Sequence, residues 1–410
     1  MKKLFIFTAS YPFGYGESFL ENELPILSKK FDITLIPTTP VNQDVVREVP
    51  NNVVIDRELS DLFKNESVLA RKFWGLFYFD LFFFNDVKNT KLNFNRIRYM
   101  ISWYLQAKRI KKWFEKKYLK NNNEEILLYS YWMNFAAVAI ADLNKKYDNI
   151  KAFSRAHRGD MYVEDSKYNY LPYRKKILNN IDKIFTISSH GQDYLKNKYP
   201  EYSNKIDISR LGVKEQESLS KKSVDNTFRI VSCSYLNPVK RVDLIIDSLV
   251  KASEKINKKI SWTHFGDGPL RNKMGKKAKE KFKDKNLEYD FKGNVMNTEI
   301  LSYYRNNPVD LFLNLSSSEG LPVSIMEAIS FGIPVIATDV GGTKDIVKSE
   351  NGALLKADPS FEEVARKIKR ITSMNEDDIE KLKENSVKIF NEKVNAKINY
   401  NEFIEKINRL

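Results

Sequence analysis

The chain has 410 residues, 42% of them hydrophobic and 13% aromatic, and its 68 Lys and Arg against 53 Asp and Glu give a formal net charge of +15. This apolar content excludes a largely disordered protein, and the length predicts two domains. A single cysteine excludes a disulfide framework, and three histidines without ligand spacing argue against a His-built metal site. These features predict a protein of a reducing compartment.

The amino terminus is expected to begin a buried strand. Lys2 and Lys3 precede an apolar run that ends by Thr8, too short for the apolar region of about 7–15 residues in a signal peptide. The chain also lacks the roughly 18 uninterrupted apolar residues that a spanning helix needs. We therefore expect a cytoplasmic protein whose contact with a membrane is peripheral.

The first half alternates strands and helices. A strand at 3–10 leads into a turn with Gly14 and Gly16, then a helix whose apolar residues recur at helical spacing, then a strand at 31–37. Further strands are predicted at 126–132, 150–157, 181–188 and 206–211. This order is typical of a parallel α/β sheet.

Residues 56–120 interrupt the alternation with an aromatic and basic insertion. Between 88 and 120 there are eleven basic residues and one acid. The aromatic block consists of Phe73, Trp74, Phe77, Tyr78, Phe79, Phe82, Phe83 and Phe84. Such a combination favours a surface for anionic lipid head groups. The alternatives are a helical core with solvated lysines, or a nucleic-acid surface, against which the contiguous aromatics argue.

The second half alternates more regularly and predicts a second doubly wound sheet. A polar segment at 214–227 is the predicted linker, so the domains span 1–213 and 228–391, and a final helix at 392–410 follows. The predicted strands are 228–234, 260–265, 287–292, 309–315, 334–338 and 353–356. The predicted helices are 241–257, 269–282, 297–306, 323–331, 360–372 and 376–391.

Two such domains predict a ligand in the cleft between them, at the carboxyl ends of the strands. A dinucleotide fingerprint needs a third glycine after Gly14 and Gly16, but Phe19 stands there. The first strand of the second domain is followed by no glycine, and no P-loop pattern occurs. The sequence therefore argues against a nicotinamide enzyme.

Residues 316–328 form the most informative segment, because they join an apolar strand to a helix. Pro322 suits the first turn of that helix, and backbone amides at Leu321, Pro322 and Val323 would form an anion site aided by the helix dipole. Glu319 would lie beside this site. Glu327, about one turn into the helix, could accept hydrogen bonds from two adjacent ribose hydroxyls. The alternative is a helix cap and a solvated surface carboxylate.

Cations and a histidine lie at other strand ends. Lys240 and Arg241 follow the first strand of the second domain and could neutralise a diphosphate, although surface Lys-Arg pairs are common. His157 ends a strand of the first domain and could orient a sugar hydroxyl or a carbonyl. A packed loop histidine is the alternative.

The order of these pieces resembles the retaining nucleotide-sugar glycosyltransferases of family 4, which have the GT-B architecture. The most specific element is a pair of glutamates separated by seven residues, which Glu319 and Glu327 match. The supporting segments are 332–342, 237–243, 265–269 and 188–190, and the family also has a final helix that crosses back to the first domain.

The resemblance implies a role for each candidate. Glu327 would bind ribose and Glu319 the donor sugar near its reacting centre. The residues that would hold the diphosphate are Lys240, Arg241 and the amides of Leu321, Pro322 and Val323. His157 would sit beside the transferred sugar, and Gly14 and Gly16 would let the first loop approach donor and acceptor. Such enzymes use no metal or cofactor, which agrees with the lack of an Asp-x-Asp motif at a strand end.

The implied function is transfer of a sugar, with retention, from a nucleotide-diphosphate donor to a saccharide or lipid-linked saccharide during surface polysaccharide assembly. A UDP-sugar is favoured over a GDP-sugar, and the expected location is the inner face of the cell membrane. One position departs from the family: Tyr235 replaces an arginine that many members carry, and Arg241 could supply that charge. The alternatives are a nucleotide-sugar epimerase and a peripheral membrane-binding protein with a decayed site.

Overall fold

A computed structural model describes the chain except for Tyr15 and residues 42–45, 66–80 and 121–123, and it does not describe the side chains of 63–65 and 81–82. The described chain divides into two compact units. The N-terminal unit comprises Met1–Leu211 and Asn399–Leu410, and the C-terminal unit comprises Gly212–Ile398.

The N-terminal unit contains a seven-stranded parallel sheet in the order β3-β2-β1-β4-β5-β6-β7. The strands are β1 (Lys2–Thr8), β2 (Phe31–Pro37), β3 (Val54–Ile55), β4 (Ile126–Ser130), β5 (Ile150–Ala156), β6 (Lys183–Thr186) and β7 (Ile206–Ile208). The central strands are buried along almost their whole length, as expected when helices cover both faces of a parallel sheet. β3 is the one described strand of this sheet that the sequence patterns did not predict.

Eight helices accompany this sheet in the described part of the unit: α1 (Leu20–Leu27), α2 (Glu58–Asn65), α3 (Leu81–Asn89), α4 (Phe94–Phe114), α5 (Phe135–Lys146), α6 (Arg158–Met161), α7 (Arg174–Asn180) and α8 (Ser189–Lys198). α1 buries Leu20, Leu24 and Leu27, as their spacing predicts. α8 begins at Ser189, because the Ser188 side chain caps it by accepting from the Gly191 N–H.

The insertion predicted at 56–120 is helical where it is described. One face of α4 buries Met100, Trp103, Tyr104 and Ile110 in the core of the unit. Within the aromatic block, Phe83 is buried, Phe84 is exposed, and the other residues of the block lie outside the described residues or lack a described side chain. The described aromatics therefore divide between core and surface.

The C-terminal unit contains a six-stranded parallel sheet in the order β10-β9-β8-β11-β12-β13. Its strands are β8 (Thr227–Cys233), β9 (Lys259–Phe265), β10 (Leu287–Gly293), β11 (Leu311–Asn314), β12 (Val335–Thr338) and β13 (Gly352–Leu355). Its helices are α9 (Val242–Ser253), α10 (Arg271–Phe282), α11 (Asn297–Asn306), α12 (Val323–Ser330), α13 (Phe361–Thr372) and α14 (Glu376–Lys393). Every predicted element of this half is present, with ends shifted by a few residues.

The last helix, α15 (Ala396–Asn408), contributes its side chains largely to the N-terminal unit. The Phe403 ring lies 5.0 Å from Phe185 and 5.6 Å from Tyr129, between side chains of that sheet. The segment predicted as a linker at 214–227 lies on the C-terminal unit, where the Ser220 N–H donates to the Phe331 carbonyl and the Ser223 N–H to Asp310.

Candidate functional site

The loop between β11 and α12 is held by backbone contacts that require glycine. The Gly342 N–H donates to the Gly320 carbonyl at 2.7 Å. Gly341 has φ of +55°, and a Cβ there would come within 1.9 Å of the Glu319 carbonyl oxygen. Gly341 after β12 thus lets two loops approach closely at the carboxyl edge of the sheet, where ligands of parallel α/β sheets bind.

Glu319 and Lys240 form a close ion pair at this edge. Lys240 Nζ lies 2.6 Å from Glu319 Oε1, and the Asn314 amide donates to the same oxygen at 3.3 Å. Glu319 is buried and Lys240 is mostly buried. Asn237 fixes the start of the Lys240 turn by accepting from the Lys240 N–H. Two residues that are 79 positions apart in sequence are therefore brought together by adjacent strands.

Arg241 forms hydrogen bonds with the same loop. Its three guanidinium nitrogens donate to the carbonyls of Leu315, Ser316 and Ala357 and to the Asp358 carboxylate, at 2.6–3.0 Å. In this structure the side chain therefore holds the start of the β11–α12 loop. Its contact with a diphosphate stays a prediction.

Glu327 lies in the second turn of α12 and is buried. The Asn297 side-chain amide donates to Glu327 Oε1 at 2.6 Å. Burial raises the pKa of Glu327 to about 7, although the Asn297 hydrogen bond opposes this change. A buried carboxylate that titrates near neutrality, with one described hydrogen-bond donor, is typical of a functional site more than of a solvated surface.

A cavity of about 560 Å³ opens at the carboxyl ends of β8, β9 and β10. Its lining comes from residues 233–235, 265–267 and 294–295 together with Ile300. Cys233 is partly exposed in this wall; desolvation raises the pKa of its thiol to about 12, and the charge of Glu327 is the second cause, so Glu327 lies close to this wall. Tyr235, at the position where the resembled family often has arginine, lines the cavity and is 59% exposed.

The amides predicted to bind an anion lie at the start of α12. Pro322 is the N-cap of the helix and lacks an N–H, so Leu321 and Val323 are the donors within that triplet. The first N–H groups of a helix have no intrahelical acceptor, so the Val323 N–H can donate to an anion. Leu321 is buried.

In the N-terminal unit the first loop is closed by a carboxylate that the patterns did not single out. Glu17 accepts hydrogen bonds from the backbone N–H groups of residues 9–11. Gly14 has φ of +74°, and its carbonyl accepts from Arg47 Nε at 2.8 Å. Gly16 lies in the same loop. Gly14 thus belongs to a hydrogen-bonded turn at the carboxyl end of β1.

His157 directly follows β5 and is buried and neutral. Burial, aided by the charge of Arg155, lowers the pKa of His157 to about 3. Its Nε2 lies 3.1 Å from the Tyr131 carbonyl, which can only accept, so Nε2 carries the proton, and Nδ1 is the atom that accepts from the Asp160 N–H in the capping box at the start of α6. The Asp160 carboxylate accepts from the backbone N–H groups of His157 and Met133 and fixes this corner.

Sequence patterns missed Glu17, Asn297 and Trp132, whose indole donates to Glu17. Glu17 follows a glycine turn, which is a weak indication of a functional residue. An asparagine or a tryptophan at the end of a strand or helix gives no such indication. Among the residues that the structure describes, no group of three His, Cys, Asp or Glu side chains is placed to hold a metal ion.

A known protein family matches the C-terminal unit. Residues 213–388 match the family described as glycosyl transferases group 1. The UDP-N-acetylglucosamine–peptide N-acetylglucosaminyltransferase GtfA subunit of Streptococcus parasanguinis is 24% identical over 193 residues. That match covers 46% of this chain and 36% of the GtfA subunit, so the chain matches about a third of the length of this relative.

Two solved structures match along the whole chain. The lipopolysaccharide outer core galactosyltransferase WaaB has a TM-score of 0.69 at 17% identity, covering 99% of both chains. HepE from Anabaena, solved in complex with UDP, has a TM-score of 0.66 at 15% identity, covering all of both chains. These likenesses confirm the predicted fold class: two parallel-sheet α/β domains of the GT-B type. No helix in the described part of the chain has the length and apolar character needed to cross a bilayer.

Proposed function

We propose that the chain is a retaining, metal-independent glycosyltransferase that moves a hexose-type sugar from a nucleotide-diphosphate donor to a saccharide or lipid-linked saccharide acceptor in surface polysaccharide assembly. In this reaction the bond from the anomeric carbon to the diphosphate oxygen breaks, and the acceptor hydroxyl oxygen forms the new bond. The departing diphosphate keeps the electron pair and takes up the proton that the hydroxyl releases.

The observation that carries the proposal is the arrangement of Lys240, Glu319 and Glu327 at one edge of the C-terminal sheet. Lys240 and the amides of Leu321 and Val323 supply positive potential for the diphosphate, most strongly as it leaves with its extra charge. Glu319, fixed by Lys240, faces the donor sugar. These groups need no metal ion for the electrostatic work.

The cavity beside Glu327 suits the nucleoside. A ribose offers two adjacent hydroxyl donors, and the carboxylate of Glu327 accepts both once it is ionised. The wall at 294–295 and Tyr235 would face the base. We favour UDP, the nucleotide with which HepE from Anabaena was solved.

The described part of the insertion supports contact with an anionic membrane surface. Phe84, Leu92 and Phe94 are exposed by 56%, 79% and 69%, and they lie at and near the turn between α3 and α4. Lys91 and Arg98 are exposed beside them, and the Arg98 guanidinium lies 5.6 Å from the Phe94 ring centre. Apolar tips surrounded by cations are typical of interfacial binding. We propose that the enzyme works at the inner face of the membrane.

Binding and turnover of donor test the proposal. Thermal shifts with UDP-glucose, UDP-galactose, UDP-N-acetylglucosamine and GDP-mannose should single out one nucleotide, because saturating ligand at about 100 times its Kd adds about 2.7 kcal/mol. Glu327→Ala should abolish that shift. Equal shifts in Glu327→Ala and the wild type would show that the site is misplaced.

The alternatives give different results in the same preparation. An epimerase would interconvert UDP-glucose and UDP-galactose with no acceptor present. A binding protein with a decayed site would attach to anionic vesicles and release no UDP. Glycosyltransfer instead requires that UDP release from the bound donor increases when a saccharide acceptor is added.

A further inference from the structure

The carboxylate of Glu17 fills a ring of N–H donors at the carboxyl end of β1. Its Oε1 accepts from Ala9 N and Trp132 Nε1, both at 2.7 Å. Its Oε2 accepts from Ser10 N and Tyr11 N, both at 2.8 Å. Glu17 is 8% exposed, so this is a built-in anion surrounded by four donors.

Such a run of backbone N–H groups at a strand end is a concavity that binds anions. In this unit the protein's own carboxylate occupies it, so the β1 loop is not left open for a phosphate. Glu17 has φ of +58°, a left-handed conformation that costs a non-glycine residue free energy. The four hydrogen bonds offset that cost and fix the loop that carries Gly14 and Gly16.

The same carboxylate fixes an aromatic ring next to His157. Trp132 lies just beyond the end of β4 and is partly exposed. Its ring centre is 4.4 Å from that of His157, which directly follows the neighbouring strand β5. Because Glu17 accepts from the indole N–H, the plane of Trp132 is set by the β1 loop. Three adjacent strand ends are thereby joined through Glu17, Trp132 and His157.

We propose that Glu17 is a positioning residue: it holds Trp132 and His157 as a preformed face that receives the sugar ring, with the apolar face of the sugar on the indole. The proposal rests on the proposed function. It extends that function by assigning a saccharide contact to Trp132 and a purpose to Glu17.

The first test compares Glu17→Gln with the wild type. Glutamine has one acceptor oxygen where four donors need two, so the ring of donors is disrupted while size is kept. We expect kcat/KM for UDP release from the UDP-sugar with the largest thermal shift to fall by about 10–100-fold, since misplacing a site by about 1 Å costs that much. The Kd of UDP itself should stay unchanged, because its contacts are proposed on the C-terminal unit. Glu201→Ala, which removes an exposed carboxylate 3.9 Å from Lys175, is the matched control.

Chemical rescue separates positioning from general destabilisation. In Glu17→Ala the empty ring of donors should accept formate, so sodium formate should restore several-fold of the lost activity where sodium chloride at equal ionic strength does not. Trp132→Phe keeps a ring but loses the N–H. The loss of activity in the double variant with Glu17→Gln should be no larger than the loss in Glu17→Gln alone, because both substitutions remove the same hydrogen bond.

Wild-type activity in Glu17→Gln, or fully additive losses in the double variant, would overturn the inference. Failure of the proposed function is a separate result, namely a wild-type chain that neither binds UDP nor releases it. Even then, hydrogen exchange at the indole N–H of Trp132 tests the role of Glu17 without any substrate. This N–H should exchange slowly in the wild type and rapidly in Glu17→Gln, and equal rates would refute the role of Glu17.

Discussion

Donor binding should depend on pH through Glu327. Burial raises the pKa of this carboxyl to about 7, above the ordinary value of 4.5. We propose that the ribose hydroxyls donate to the ionised form, so binding requires loss of a proton wherever Glu327 is protonated. Affinity for the donor should therefore be highest above pH 7 and should fall as the pH drops through it.

The magnitude follows from the titration. With a pKa of about 7, the ionised fraction falls from about nine-tenths at pH 8 to about one-tenth at pH 6, which costs about 1.4 kcal/mol or a tenfold increase in Kd. Calorimetric titration with the UDP-sugar that binds best measures this directly. A UDP-sugar is the better probe than UDP, because the terminal phosphate of UDP itself titrates near pH 6 while the diphosphate diester does not.

Glu327→Gln is the control for this dependence. The amide keeps the size of the side chain and one acceptor oxygen, but it does not titrate. Its Kd should be raised at pH 8 and should be flat down to pH 6. If the wild type and Glu327→Gln share the same pH dependence, Glu327 is not the titrating group and its proposed contact with ribose is wrong.

Three further outcomes are expected. Glu327→Gln should be more stable than the wild type at pH 8, by up to about 3 kcal/mol in urea unfolding, and this gain should vanish near pH 4.5. The reason is that a raised carboxyl pKa makes ionisation oppose folding as the pH rises through 7. An equal difference in stability at both pH values would contradict this. Arg241→Ala should lower the free energy of unfolding by about 2–4 kcal/mol, since it leaves the Leu315 and Ser316 carbonyls without their donor, and a loss below about 0.5 kcal/mol would argue against its hold on the loop. Leu92→Ser with Phe94→Ser should weaken sedimentation with phosphatidylglycerol vesicles at least tenfold and leave UDP binding intact, whereas undiminished sedimentation would place the membrane contact elsewhere.

The architecture could be predicted from the amino-acid order, because periodicity and strand order are local properties. Continuous apolar runs such as 126–130 are readable as buried parallel strands, and the alternation with helices leaves few topologies. The Glu319 and Glu327 pair was visible for the same reason: a strand, a turn and a helix start follow each other within a dozen residues. The resemblance added expected roles to those positions.

Which distant side chains meet depends on the packing of the strands in space. Lys240 reaches Glu319 because β8 and β11 are neighbours in the sheet, although they are far apart in sequence. Asn297 reaches Glu327, and the burial of that carboxyl, which no composition reveals, moves its pKa to neutrality. Arg241 is predicted to contact phosphate, and only the structure shows that its planar fork of donors also matches the carbonyls of the next loop. Hydrogen bonds and desolvation act over a few ångströms in space, so they depend on the packing of strand ends and not on sequence spacing.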